Sequence, residues 1–198
     1  MNIKIIDNFL QNEDLEILSK LSNKVEAVEK QGLDIKKIDD IELIDQLNDK
    51  YHLKSMEILK EMCPDKIKLY DYTQYAIVET GSKFKFPIHD DDPNKILSGV
   101  IYLKPEKNTG TIFYSNKKGD NPKVIEWKIN RAIFFSRKER KTWHSYEGNG
   151  LENRIVLVYN LMTKNVKKVY EIENKNYFFG LLRWKLNSYL YRFLGFII

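Results

Sequence analysis

Histidine is scarce in this chain: it occurs only at His52, His89 and His144. His89 stands in the run Pro87-Ile88-His89-Asp90-Asp91-Asp92-Pro93. On an extended backbone, residues i and i+2 share a face. His89 and Asp91 can therefore offer an imidazole and a carboxylate to one metal ion, while Asp90 points away. Asp92 is a rival donor, and the two-residue period favours Asp91. A lone His-x-Asp also reads as an acidic surface turn. A second His from a later strand would complete a set of two His and one carboxylate. Such a set leaves coordination positions open for a cosubstrate and O2, which a non-haem Fe(II) centre requires.

His144 can be that second His. It sits in Thr142-Trp143-His144-Ser145-Tyr146, and Arg154 follows ten residues later. Arg154 opens the run Arg154-Ile155-Val156-Leu157-Val158-Tyr159, which otherwise reads as a buried strand. A charge there needs a partner. One candidate is a dicarboxylate, held by two parallel charge-assisted hydrogen bonds. The other is an ordinary salt bridge to Glu152 or Glu126. The basic stretch 136–142 reads as a solvated turn, or as a lip that attracts an anionic substrate. Trp143 beside His144 reads as support for the ligand or as plain core. His52 lies on a helix remote from these motifs and is read as a surface or capping residue.

These groups need a frame. Ile3–Ile6 reads as a short strand. Asn12 reads as a helix cap, with Glu13 and Asp14 in the first turn. A second helix is expected over Ile41 to about Met62, with Ile44, Leu47, Tyr51, Ile58 and Met62 on one stripe and Pro64 ending it. After Pro64, short β-branched and aromatic runs alternate with turn clusters. They are Lys68–Val78, Ile96–Leu103, Thr111–Tyr114, Val124–Trp127, Arg131–Phe135, Trp143–Tyr146 and Arg154–Leu161. This pattern predicts an α+β fold: a jelly roll of about eight strands with the N-terminal helices packed on one sheet.

The 198 residues suit one domain with an appendage. A hydrophobic content of 42% and an aromatic content of 13% exclude a disordered chain. The net charge is +5, but 27 of the 33 basic residues are Lys and are scattered among acids. That describes a solvated surface rather than a nucleic-acid groove. Cys63 is the only cysteine, so neither a disulfide framework nor a thiolate zinc site is expected, and a reducing cytoplasm is the expected setting. The opening residues carry no signal-peptide pattern. Residues 177–198 differ from the rest: they are crowded with aromatics such as Phe178, Phe179, Trp184, Tyr189, Phe193 and Phe196, and their only charges are Arg183, Lys185 and Arg192. Two readings fit: a helix packed on its own domain or on a second subunit, or an interfacial helix at an anionic membrane.

Together these residues resemble the 2-oxoglutarate/Fe(II) oxygenase superfamily, in its prolyl 4-hydroxylase-like branch. The ordered set is His89-x-Asp91, His144 and Arg154. Around it, Leu97–Leu103, Thr109–Phe113, Arg131–Phe135 and the opening Ile5–Leu10 resemble segments of that branch. The match covers roughly residues 3–163; residues 1–163 are taken as the oxygenase domain and 164–198 as an aromatic, basic amphipathic C-terminal appendage. The resemblance implies a double-stranded β-helix with Fe(II) held by His89, Asp91 and His144. It also implies 2-oxoglutarate paired to Arg154, O2 as co-reactant, and hydroxylation of a substrate with release of succinate and CO2. Tyr102 matches a position that donates its hydroxyl to the cosubstrate carboxylate, and Tyr75 is a further candidate. The chain departs from the pattern at Asn108-Thr109-Gly110, where paired glycines are usual, and at Val158, where some relatives carry a hydroxyl. The alternative is a non-catalytic jelly-roll module that binds glycan, peptide or a membrane surface.

Overall fold

The computed structural model describes residues 2–22 and 32–194, so Phe196 lies outside the described residues. Helix α1 spans Asn12–Ser22 and α2 spans Ile41–Met62. Leu15 donates its N–H to the Gln11 carbonyl at 3.0 Å, so α1 starts one residue earlier than a cap at Asn12 implies. Asp40 caps α2 by accepting the Leu43 N–H at 3.1 Å. Leu43, Leu47, Tyr51, Ile58 and Leu59 form its buried stripe. The chain leaves α2 through a 3-10 turn at Pro64–Leu69, so the strand expected from Lys68 begins later.

Ten strands follow or intervene: β1 Lys4–Ile6, β2 Leu33–Lys37, β3 Tyr72–Thr80, β4 Lys85–His89, β5 Lys95–Lys104, β6 Ile112–Phe113, β7 Lys123–Val124, β8 Ala132–Phe135, β9 His144–Glu147 and β10 Arg154–Met162. The larger sheet runs β1-β8-β5-β10-β3-β2 and the smaller β4-β9-β6-β7. The expectation of about eight strands is corrected to ten among the described residues. The two additional strands are β2, at one edge of the larger sheet, and β4, at one edge of the smaller. All recorded pairings are antiparallel.

The larger sheet is buried on both faces. One face packs Tyr75, Ile77, Ile101, Leu157, Tyr159 and Leu161 against Leu18 of α1 and Leu47, Tyr51 and Ile58 of α2. The other face carries Tyr102, Ile133, Phe135 and Val156, which meet Phe113, Ile125 and Trp127. The metal-ligand candidates lie on that second side. After β10 come α3, Val166–Ile172, and α4, Tyr177–Leu194. Val169 of α3 joins the helix-side core. Gly180 lets α4 press against Tyr170; a Cβ there would overlap the tyrosine ring.

Candidate metal centre

His89 ends β4 and His144 begins β9, and the register of these paired strands sets the two directly opposite. Their ring centroids are 4.2 Å apart. Asp91 follows two residues after His89, and one donor atom from each of His89, Asp91 and His144 lies within 4.8 Å of the others. Each imidazole is oriented the same way. His89 Nδ1 lies 3.0 Å from the Pro87 carbonyl and His144 Nδ1 lies 2.9 Å from the Thr142 carbonyl. A carbonyl only accepts, so each Nδ1 carries the proton and each Nε2 keeps its lone pair for a metal. Burial, and then the neighbouring His144, push the His89 pKa down to about 3, so the ring is neutral at ordinary pH.

Asp91 is buried and doubly held: Oδ1 accepts from Lys95 Nζ at 2.6 Å, and Oδ2 from Ser98 Oγ at 2.6 Å. Burial alone would raise its pKa. The Lys95 ammonium and the two imidazoles outweigh that and hold it below the usual carboxylate range. Asp92, the rival donor, is exposed and outside the cluster. Phe86, Phe113 and Phe135 wall the His pair, with ring centroids 4.5 Å from His89, 5.7 Å from His144 and 4.9 Å from His144 respectively.

Arg154 is buried on the inner face of the larger sheet. Neither Glu152 nor Glu126 pairs with it; Glu126 instead meets Arg131. Among the described residues no carboxylate reaches the guanidinium. Its Nη2 donates to Thr111 Oγ1 at 3.1 Å, and its Nε is buried without a partner among the described residues. Aromatic rings surround it, with Tyr146 nearest at 4.1 Å and Tyr102 at 5.4 Å. Burial therefore lowers its pKa, partly offset by Tyr102 and Tyr146. The Tyr102 hydroxyl accepts the Thr111 N–H at 2.7 Å and donates to Thr111 Oγ1 at 3.1 Å. Thr111 and Tyr146 were not singled out from the sequence; the one signal for them is their position two residues from Phe113 and from His144.

Gly110 lets this corner close, because a Cβ there would overlap the Ile125 carbonyl. Gly110→Ala is expected to destabilise the fold by about 1–3 kcal/mol through that forced backbone shift, read as a lower melting temperature. Tyr75, expected to face the site, does not. It points into the helix layer, lies tilted against Tyr159 with ring centroids 4.7 Å apart, and donates to Asn48 at 3.1 Å. The two-residue period puts it on the opposite face of the sheet from Val78 and Val156. His52 also lies in the helix layer, 4.8 Å from the Tyr70 ring.

The 136–142 stretch is not a solvated turn throughout. Arg137 and Glu139 are buried. Arg137 pairs with Glu139 and, at 2.9 Å, with Glu173, while Lys66 meets Glu173 at 2.8 Å. From α4, Arg183 reaches Asp90 at 2.5 Å and Glu139 at 2.7 Å. Three cations thus balance three carboxylates in a buried chain of ion pairs. It grips the ligand segment at two points: the Asp90 side chain, and the Asp91 carbonyl, which accepts from Arg137 Nε at 3.1 Å. Burial, the largest influence, works to raise the Asp90 pKa, but Arg183, the Arg140 N–H and Arg137 together outweigh it and lower it. The Arg183 guanidinium also lies 5.6 Å from the Trp143 ring, next to His144.

No family model matches the chain, and no curated protein matches it in sequence. Solved structures do. A prolyl-4-hydroxylase from Pseudomonas putida matches with a TM-score of 0.58 at 16% identity, covering 82% of this chain and 93% of that one. A prolyl hydroxylase from Trichoplax adhaerens, solved with a hypoxia-inducible-factor peptide, matches with a TM-score of 0.61 at 16% identity, covering 84% and 86%. A viral collagen prolyl hydroxylase from Paramecium bursaria Chlorella virus-1, solved with 2-oxoglutarate, matches with a TM-score of 0.57 at 16% identity, covering 82% and 96%. The chain therefore has the fold of the prolyl 4-hydroxylase-like 2-oxoglutarate/Fe(II) oxygenases.

Proposed function

We propose that this protein is an Fe(II)- and 2-oxoglutarate-dependent oxygenase that hydroxylates an organic substrate. In this reading β3, β5, β8 and β10 face β4, β9, β6 and β7 as a double-stranded β-helix, with β1 and β2 as edge additions. His89, Asp91 and His144 hold the iron through two Nε2 atoms and one carboxylate oxygen. Arg154 holds the far carboxylate of 2-oxoglutarate, with Tyr102 and Thr111 beside it. Bound Fe(II), with 2-oxoglutarate and O2, supplies the oxidising power for C–H hydroxylation, with release of succinate and CO2.

The observation that carries this reading is the unpaired guanidinium. A buried Arg without a carboxylate is costly, and this one lies close to a metal-binding set. His144 and Tyr146 share a face of β9, and Tyr146 is the ring nearest Arg154. Two strand residues span about 7 Å. A five-carbon dicarboxylate chelating at one end suits that separation. The phenylalanines give the His pair an apolar lining, and the Nδ1 bonds fix both rings before any ligand arrives.

Anaerobic titration with Fe(II) and then 2-oxoglutarate tests this by visible absorption. Wild type is expected to develop a weak charge-transfer band. Arg154→Ala loses charge-assisted hydrogen bonds and should need about a hundredfold more 2-oxoglutarate for the same band, with iron uptake unchanged. An Arg154→Ala titration that overlays the wild type would sink the assignment.

A further inference from the structure

Helix α4 has an inner and an outer side. Gly180 and Arg183 are buried. Outward lie Phe178, Phe179, Leu182, Leu186 and Tyr189, with Phe178 69%, Phe179 68% and Tyr189 60% exposed. At 3.6 residues per turn, these five fall within an arc of about 100°. An apolar strip of this kind on a surface helix marks a contact site. Leu182 and Leu186, with Phe179, also line a depression of about 450 Å³. Arg140 and Lys175 line it too; both are exposed, and neither forms an ion pair among the described residues. Lys185 lies exposed between Leu182 and Leu186. From residue 174 to the end of the chain there is no Asp or Glu.

We propose that this face docks on an anionic phospholipid surface, aromatic residues inserted and Arg140, Lys175 and Lys185 against the headgroups. The arrangement is that of an interfacial helix: large apolar side chains on one arc and cations flanking it, the one acid lining the depression being Glu139, which is buried and paired to Arg137 and Arg183. No helix among the described residues is long and apolar enough to cross a membrane, so the contact is peripheral. Charge decides against a second copy as the occupant, because pairing this face with itself would bring its cations together while the one acid there, Glu139, is already held by Arg137 and Arg183. Deleting residues 177–198 would not test the idea cleanly, because it also removes Arg183 from Asp90 and Glu139.

The test is co-sedimentation of the full chain with vesicles of phosphatidylcholine alone or mixed with equal phosphatidylglycerol. Two double variants accompany the wild type: Phe178→Ser with Phe179→Ser, and Lys175→Glu with Lys185→Glu. All four positions are exposed, and retention of the wild-type melting temperature confirms folding. Wild type should pellet with the mixed vesicles and stay in solution with phosphatidylcholine. Each double variant should bind the mixed vesicles at least about tenfold more weakly. Failure to pellet with the mixed vesicles would overturn the proposal, as would binding that survives both variants. A dimer in sedimentation velocity that the Phe178→Ser, Phe179→Ser variant abolishes would assign the face to a second copy instead.

Discussion

His144→Ala is expected to lower Fe(II) affinity by more than about a hundredfold, measured by anaerobic equilibrium dialysis. Changes to groups that merely support a ligand already cost ten- to a hundredfold, and His144 offers a donor atom itself. The prediction has an internal scale. Ser98→Ala leaves all three donors in place and removes only the 2.6 Å hydrogen bond to Asp91 Oδ2, so its effect should be about tenfold. Lys95 still holds the other oxygen of that carboxylate. His52→Ala should leave iron affinity alone, since His52 packs on Tyr70. If His144→Ala binds iron as well as Ser98→Ala does, His144 is not a ligand.

Arg183→Ala should destabilise the metal-free protein by about 3–5 kcal/mol, because it strands the buried carboxylates of Asp90 and Glu139. For a chain of this size that is a fall of about 10 °C in melting temperature. Neutralising one pair on both sides is a different matter. Arg183→Met combined with Asp90→Asn removes one cation and one carboxylate, leaves Arg137 and Lys66 balanced by Glu139 and Glu173, and should recover much of the loss, since an ion pair replaced on both sides costs far less than one broken. Equal melting temperatures for Arg183→Ala and wild type would mean that the pairs contribute nothing.

The pairing of His89 with Asp91 on one face was legible because its signal is local. Histidine is rare in this chain, and the two-residue strand period places His89 with Asp91 on any extended backbone. Face assignment on the larger sheet was not legible. β3 and β10 are buried on both sides, so hydrophobic alternation, which usually tells inside from outside, is missing. Tyr75 was expected on the face of the candidate site for that reason and lies on the helix side instead. β2 and β4 were missed as strands: one is a charged edge, the other carries Pro87 in a register that shifts between Phe86 and His89. The buried ion pairs were the deepest omission. A run such as Ser136-Arg137-Lys138-Glu139-Arg140-Lys141 looks solvated from within the sequence. Its partners, Lys66, Glu173 and Arg183, come from elements far along the chain, and only packing reveals them.

The hydrogen bonds from Arg183 to Asp90 have a thermodynamic side. Asp90 lies between two proposed iron ligands, and Arg183 lies on the inner side of a helix whose outer side is bare. Free-energy coupling between two sites is reciprocal and equal in size. A contact that steadies α4 therefore also steadies the His89–Asp91 segment. A metal held by the proposed ligands would steady the helix by the same amount, and α4 would then report what is held beneath it.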